Sequence, residues 1–434
     1  MAPRLVGVAL ALALASSASA QDAPIELPLR AGAAAVPIAV PEGAPLAGLS
    51  GRGPFNHNQG QLAPVEARAL VIAGRTGHPR VGLVTLDILI VTPPLRQAVR
   101  ERAASLELDG LIVAATHTHS GPGGYASSWI AETGAMGWYD PAVLHALTNA
   151  ASTALEYANR ALTPASLGVA VASSPSLAEN RRHPGGPIDP SIPVLRVDGD
   201  TGEPIATLFS LAAHPAVLRP ANARLSPDYP GAARAFVEAH RGGIALFVDG
   251  PLGDQNPRIP SPLPDAADVA AQQRSAQAIG ETLGALVVEA AELAAPAVDA
   301  PVAFAEVPYT PPAIDVREAC AGWIFAPFFH LAARAILPSE SVLAAARFGG
   351  LRLLASPYEL GVEVAARIRA QIAGPLMLVA HANDWLGYLL EPDDLASGGY
   401  ESCMSVHGTH AALPFEAAAE QLLAPLGPAP APKP

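Results

Sequence analysis

The sequence predicts an α/β fold, with mixed β-sheets flanked by helices and an active site placed where strands end. Three observations point there. Short β-branched runs alternate with longer helical patterns, half of the 434 residues are apolar while only 15% are charged, and two apolar runs lead directly into histidine. A chain this poor in charge, against roughly 25% in an average globular protein, has the apolar surface to bury a large core. Lys plus Arg is 26 against 39 Asp plus Glu, a balance of −13 that repels a phosphate backbone. Nucleic acid and anionic membrane surfaces are therefore poor partners, and no protein partner is readable.

Residues 1–20 read as a secretory leader: Arg4, an apolar run from Leu5 to Ala15, then Ala18-Ser19-Ala20 before Gln21. The run is too short to anchor the mature chain in a membrane, so an exported, periplasmic or secreted protein without an integral span is expected. Residues 21–424 then form one catalytic-sized domain, and the proline-rich 425–434 is expected to be a disordered tail. Cys320 and Cys403 can form a disulfide in such a compartment, or stay apart.

Within the domain, the apolar runs Ala67 to Ile72, Val81 to Asp87 and Leu111 to Thr116 are the first expected strands. Ile205 to Ala212, Ile244 to Val248, Leu351 to Ala355 and Leu376 to Ala380 follow. Helices are expected at Pro94 to Ala104, Pro141 to Ala158, Ala232 to Ala239, Ala266 to Ala294, Leu360 to Ile372 and Glu416 to Leu423. Two of them begin at proline, which suits a first turn because its missing N–H has no helical partner there. Pro251 to Pro264 is too rich in proline for either element and reads as a loop after a strand, where sites form. Gly322 to Leu337 is nearly uncharged but broken by Pro327, and reads either as buried core helix or as an apolar wall for a lipid chain.

Much chemistry is excluded. The single lysine is Lys433, next to the end of the chain, so no Schiff base, PLP anchor or Walker phosphate loop is available. There is no HExxH, no CxxC and no GxSxG; the nearest stretch, Gly48-Leu49-Ser50-Gly51, continues with Arg52. What remains is Thr116-His117-Thr118-His119-Ser120-Gly121-Pro122-Gly123-Gly124-Tyr125, directly after a strand. Two imidazoles at i, i+2 in extended chain point to one face, an arrangement suited to a metal. Later strands run into His214-Pro215, Ser356-Pro357-Tyr358-Glu359 and Asn383-Asp384-Trp385-Leu386-Gly387-Tyr388. Each alone has a structural use: His214 can cap a strand, Glu359 can favour a helix start, and Tyr388 can be core. Together they are how residues far apart in sequence meet at one sheet edge.

In this order, with Asn180-Arg181-Arg182 between, these elements resemble the catalytic domain of the neutral/alkaline non-lysosomal ceramidases, from about Ala31 to Phe415. The resemblance implies one catalytic zinc (Zn²⁺) held by His117, His214, Glu359 and Tyr388. It implies substrate-amide or oxyanion contacts from His119, Arg181 and Tyr400. A zinc in such a site lowers the pKa of its water to about 7 and polarises a carbonyl, which suits cleavage of the N-acyl amide of ceramide or a related N-acyl lipid. The family's G-D-V-S-P-N segment reads Gly253-Asp254-Gln255-Asn256-Pro257-Arg258, placing Asn256 where a serine nucleophile has been proposed. The N-R-S motif reads Asn180-Arg181-Arg182, and no C-terminal immunoglobulin-like domain is expected. Asn256 can still donate a hydrogen bond to an oxyanion, and is the argument for the alternative, a catalytically inactive zinc- or lipid-binding paralogue.

Overall fold

A computed structural model of the chain describes residues 27–53, 55–259, 265–316, 331, 333–334 and 337–427. The leader read over 1–20, residues 428–434 of the tail expected from 425, Cys320 and most of the stretch 322–337 lie outside the described residues. The start of that expected tail is ordered instead: Leu426 is buried, and the carbonyls of Leu426 and Gly427 accept from Arg347 and Arg352.

The chain lays down β1 (Arg30–Pro37), β2 (Glu66–Ala73) and β3 (Arg80–Leu86), then α1 (Pro93–Ala103) and β4 (Gly110–Ala115). After α2 (Pro141–Arg160) come β5 (Thr163–Ser173), β6 (Ala178–Asn180), β7 (Ser191–Gly199), β8 (Pro204–Leu211), α3 (Asp228–His240) and β9 (Ile244–Asp249). Then follow β10 (Gln255–Pro257), α4 (Val269–Leu293), β11 (Val302–Tyr309), β12 (Ser341–Phe348), β13 (Leu351–Ala355) and β14 (Glu359–Leu360). The chain ends with α5 (Val362–Gln371), β15 (Leu376–Val379), β16 (Tyr388–Leu389), α6 (Pro392–Ala396), α7 (Tyr400–Met404) and α8 (Ala412–Leu423).

Eight strands form one mixed sheet in the order β4-β3-β2-β1-β5-β7-β8-β9, with β3/β4 and β8/β9 parallel and the rest antiparallel. Each parallel pair is joined through a helix, α1 or α3, as a crossover requires. Side chains alternate between its faces: Ala69 and Val71 of β2 pack with Leu95 of α1 and Leu147 of α2, while Leu70 and Ile72 turn to the other face. That second face meets Phe348, Leu353 and Met377 of a four-stranded sheet, β11-β12-β13-β15. The far side of the small sheet is covered by α5 and α8 through Ile368, Phe415 and Leu422. The α/β expectation holds, with two sheets as inner layers and helices outside.

The large sheet curls. Its edge strands β4 and β9 come into contact although seven positions apart in strand order. A buried ion pair bridges the curl: Arg234 of α3 donates to both oxygens of Asp87, at 3.0 and 2.8 Å, and Asp87 also accepts from Thr116. Arg234 and Asp87 are 2% and 0% exposed, so Asp87→Ala strands a buried guanidinium next to the residue that precedes His117. Urea unfolding is expected to show a loss of about 3–5 kcal/mol. A loss under 1 kcal/mol would mean that the pair contributes no net hold.

All seven expected strands and all six expected helices are present, with ends shifted by a few residues. The strands not foreseen include β1 and β12, whose segments AGAAAVP and LAAAR are alanine-rich; alanine favours helix and carries little strand propensity. In β7, Pro193 masked the strand; pairing with β8 starts only at Val194, so the missing N–H interrupts no ladder there. Two further expectations need correction. Leu360 belongs to β14 rather than to a helix, and the segment from Pro251 is not all loop, because Gln255–Pro257 forms β10, antiparallel to β6.

Candidate active site

The chain leaves β4 through Thr116 with His117 in left-handed backbone, φ 56°. This differs from the extended chain expected for the His pair, yet the rings still converge: His117 and His119 lie edge to face at 4.8 Å, Nε2 to Nε2 3.2 Å. His119 fits because Gly48 faces it; a Cβ on Gly48, already at φ 103°, would come within 2.7 Å of the His119 Cα. His117 donates its Nδ1–H to the Leu89 carbonyl at 2.7 Å, and His214, three residues past β8, donates its own to Gln255 at 2.9 Å. Both tautomers are thereby fixed with Nε2 bearing a lone pair that faces inward.

The other half of the site comes from the small sheet's side. β14 and β16 pair in parallel with Glu359 directly beside Tyr388, so both side chains share a face. Glu359 Oε2 lies 3.3 Å from His214 Nε2 and 3.7 Å from His117 Nε2, and the Tyr388 hydroxyl lies 3.4 Å from His214 Nε2. The four residues expected to share a metal are thus brought together from the ends of large-sheet strands β4 and β8 and from the two-stranded pair β14/β16. Ligand atoms about 2.0–2.1 Å from a tetrahedral centre sit roughly 3.3 Å from one another, the spacing of this cluster. Glu359 Oε2 is buried and has no hydrogen-bond partner, so the donor set fits a cation. Among the described residues, His117, His119 and His214 form one group able to hold a metal and His117, Glu359 and His381 another.

His381 was not foreseen. It is fully buried, stacked on His117 at 3.7 Å, with Nδ1 3.2 Å from Asp249 and Nε2 3.4 Å from Glu359 Oε1, the oxygen that also accepts from Trp385 at 2.9 Å. Its signal was present, for the apolar run Leu376 to Ala380 leads straight into it as another leads to His214. His381 also sits at the seam between the sheets, where Ala115 donates to its carbonyl and Asn383 donates to Val113. His381 and Asn383 share the left-handed backbone of His117, with φ of 50° and 65°. Such φ values cost energy in non-glycine residues and persist where the surroundings fix them.

Burial drives the electrostatics. It pushes His117 well below its ordinary pKa, with neighbouring His381 adding to the effect, and takes His119 to about 3, so both rings are neutral. Burial would raise Glu359, but His117, His214 and His381 facing it bring the carboxyl well below the usual range. Burial also lifts the Tyr388 phenol well above its ordinary value, with Glu359 adding to this against Arg181. His117, His119 and His214 are therefore neutral beside an anionic carboxylate, the forms that bind metals, whereas at His381 burial is outweighed by Asp249 and Glu359, which raise it to about 9.

Arg181 reaches in from the turn after β6. It donates through Nη2 to the Tyr388 hydroxyl and to the Gly253 carbonyl, each at 3.0 Å, and pairs through Nε with Glu401 at 2.7 Å. Tyr400 opens α7 with its ring 6.0 Å from that of Tyr388 and is 62% exposed. Asn256 is half-buried on β10, where it lines a cavity of about 460 Å³ with Arg181, Asn180 and Arg258. His119, Arg181 and Tyr400 thus surround the cluster, while Asn256 faces the cavity beside Arg181.

Residues 54–263 match the family model described as neutral/alkaline non-lysosomal ceramidase, N-terminal. The neutral ceramidase of Mycobacterium tuberculosis is 25% identical over 230 residues, 46% of this chain and 36% of that protein, so the match spans about a third of the relative's length. By fold, the chain is similar to neutral ceramidase from Pseudomonas aeruginosa, with a TM-score of 0.80 at 20% identity over 92% of this chain and 74% of that one. A structure of ceramidase complexed with C2 follows with a TM-score of 0.75 at 19% identity, covering 94% of this chain and 77% of that one. Glu359, Tyr388, His381 and Tyr400 lie beyond the segment that the family model matches. The resemblance to the neutral/alkaline non-lysosomal ceramidases that the motifs carry is thus matched by the family model over residues 54–263, and the chain shares the fold of the solved neutral ceramidase over 92% of its length.

Proposed function

We propose that this chain is a zinc-dependent hydrolase of linear amides. It would cleave the N-acyl amide bond of ceramide or a related N-acyl lipid with water, releasing a fatty acid and a sphingosine-type amine. The observation that carries the reading is the convergence of His117 Nε2, His214 Nε2, the unpartnered Glu359 Oε2 and the Tyr388 hydroxyl beside the half-buried Arg181. A zinc ion held by these four residues would supply an activated water and a Lewis acid.

The chain's own groups do the rest. Arg181, held by Glu401 and Gly253, presents a fixed guanidinium toward the site, where it would stabilise negative charge on the amide oxygen. His119, held neutral by burial, would donate with Tyr400 to the amide oxygen, and one of the two would pass a proton to the departing amine. Burial of the cluster excludes bulk water, which strengthens each of these interactions. Among the described residues no helix is long and apolar enough to cross a membrane. Export to the periplasm or medium belongs to the same proposal, with a mature chain beginning at Gln21 when its N-terminus is sequenced.

Incubating the purified chain with a panel of N-acyl amides is expected to release fatty acid. In H₂¹⁸O under single turnover, one labelled oxygen should enter the acid directly, with no burst of amine. Asn256→Ala is expected to cost up to about 10²- to 10³-fold, the range for one oxyanion donor, because a carboxamide is no nucleophile. Full metal occupancy with no amide cleaved would overturn the hydrolase and leave a binding paralogue.

A further inference from the structure

The second arginine of Asn180-Arg181-Arg182, where the resembling family has serine, makes an unusual set of contacts. Its side chain is 4% exposed and runs into the segment from α6 to α7. Nη1 donates to Glu401 Oε2 at 2.9 Å. Nη2 lies 2.6 to 3.1 Å from four oxygens: the carbonyls of Asp394 and Gly398 and the hydroxyls of Ser397 and Ser402. Two hydrogens on one nitrogen serve two of these at a time, so the group has acceptors wherever it swings. The base of the arginine is itself fixed, since Asn180 Oδ1 accepts from the backbone N–H of both Arg182 and His183. His183 adds a contact to Asp394 at 2.6 Å.

The segment gripped in this way has little regular structure of its own, and besides the disulfide at Cys403 near its end it relies on side-chain contacts at its start. α6 and α7 are five residues each, far below the length at which a helix persists alone, and Gly398 and Gly399 join them at φ 77° and 97°. Yet the segment carries Tyr400, and it carries Glu401, whose two oxygens are divided between Arg181 Nε and Arg182 Nη1. One carboxylate thus ties the docking arginine to the arginine that donates to Tyr388.

We propose that Arg182 is a positioning residue: it docks residues 392–404 against the site and, through Glu401, sets where Tyr400 and Arg181 present their donors. This rests on the hydrolase reading for its kinetic consequence, though not for the docking itself. Arg182→Ser is expected to lower kcat for an N-acyl amide by about 10- to 100-fold, the usual range for supporting contacts, with KM changed less than threefold. Metal content should stay at the wild-type level. Arg182→Lys, which keeps the charge and one donor arm, should recover part of the loss. In a Tyr400→Phe background the same Arg182→Ser change should cost clearly less than in the wild type, because the two act on one contact. Hydrogen exchange should accelerate at backbone amides of 393–404 and stay unchanged in β8 and β9. An unaltered kcat, losses that multiply across the pair, or a kcat fall matched by lost metal would each overturn the proposal. Should the wild type cleave no amide, the hydrolase reading fails, and unchanged exchange over 393–404 in Arg182→Ser would still overturn the docking.

Discussion

Glu359→Gln is expected to remove hydrolysis of N-acyl amides almost completely, by far more than the 10²- to 10³-fold lost with a single oxyanion donor. The substitution keeps the side chain's shape and its acceptor for Trp385, so folding should be spared. It removes the one anionic charge among the four residues that would hold the cation, and that charge faces both His117 and His214. A neutral carboxamide also coordinates divalent zinc weakly, since an ionised carboxylate is the form that binds. Zinc content and kcat should fall together while the circular dichroism spectrum stays unchanged. Activity within tenfold of wild type would remove Glu359 from the mechanism.

Loss of the metal itself is the second large effect. The wild-type chain, purified without chelator, is expected to hold about one zinc, as a site with protein ligands and an open position does. His117→Ala should lose both zinc and activity. Because His117 sits at φ 56°, alanine there also strains the backbone, so His117→Asn, which tolerates left-handed conformation, is the cleaner partner variant. Chelation should lower the Tm of the wild type, since an ion that binds only the folded state stabilises it by mass action. The two variants should show no such shift. Full zinc in either variant, or none in the wild type, would sink the assignment.

The strands and helices that could be read from the sequence are those whose side chains declare them. Runs such as Val81 to Leu86 are β-branched or leucine-rich, and they become the middle of a sheet. β1 and β12 are strands only because neighbours on both sides pair with them; their alanines would serve a helix as well. The proline of β7 hid that strand for a related reason, because what matters is whether a partner needs the missing N–H.

The same division runs through the site. Its residue types and their positions after strands were written in the sequence, so His117, His119, His214, Glu359 and Tyr388 were legible, and the family likeness with them. His381 carried the same signal and was passed over, since its use depends on Asp249 and Glu359, which are neighbours only in space. Arg182 appeared as a departure from a motif, and its grip on Ser397, Gly398 and Glu401 could not be foreseen from residues more than 200 positions away. The sequence by itself determined which atoms can bind a cation and which strands carry them to a sheet end. Only the tertiary structure decided that they meet, because the curl of the large sheet draws β4 toward β9 and the separate two-stranded pair β14/β16 supplies Glu359 and Tyr388 from across the seam. That convergence is set by sheet twist and core packing, which are sums over many contacts and leave no mark at any single position.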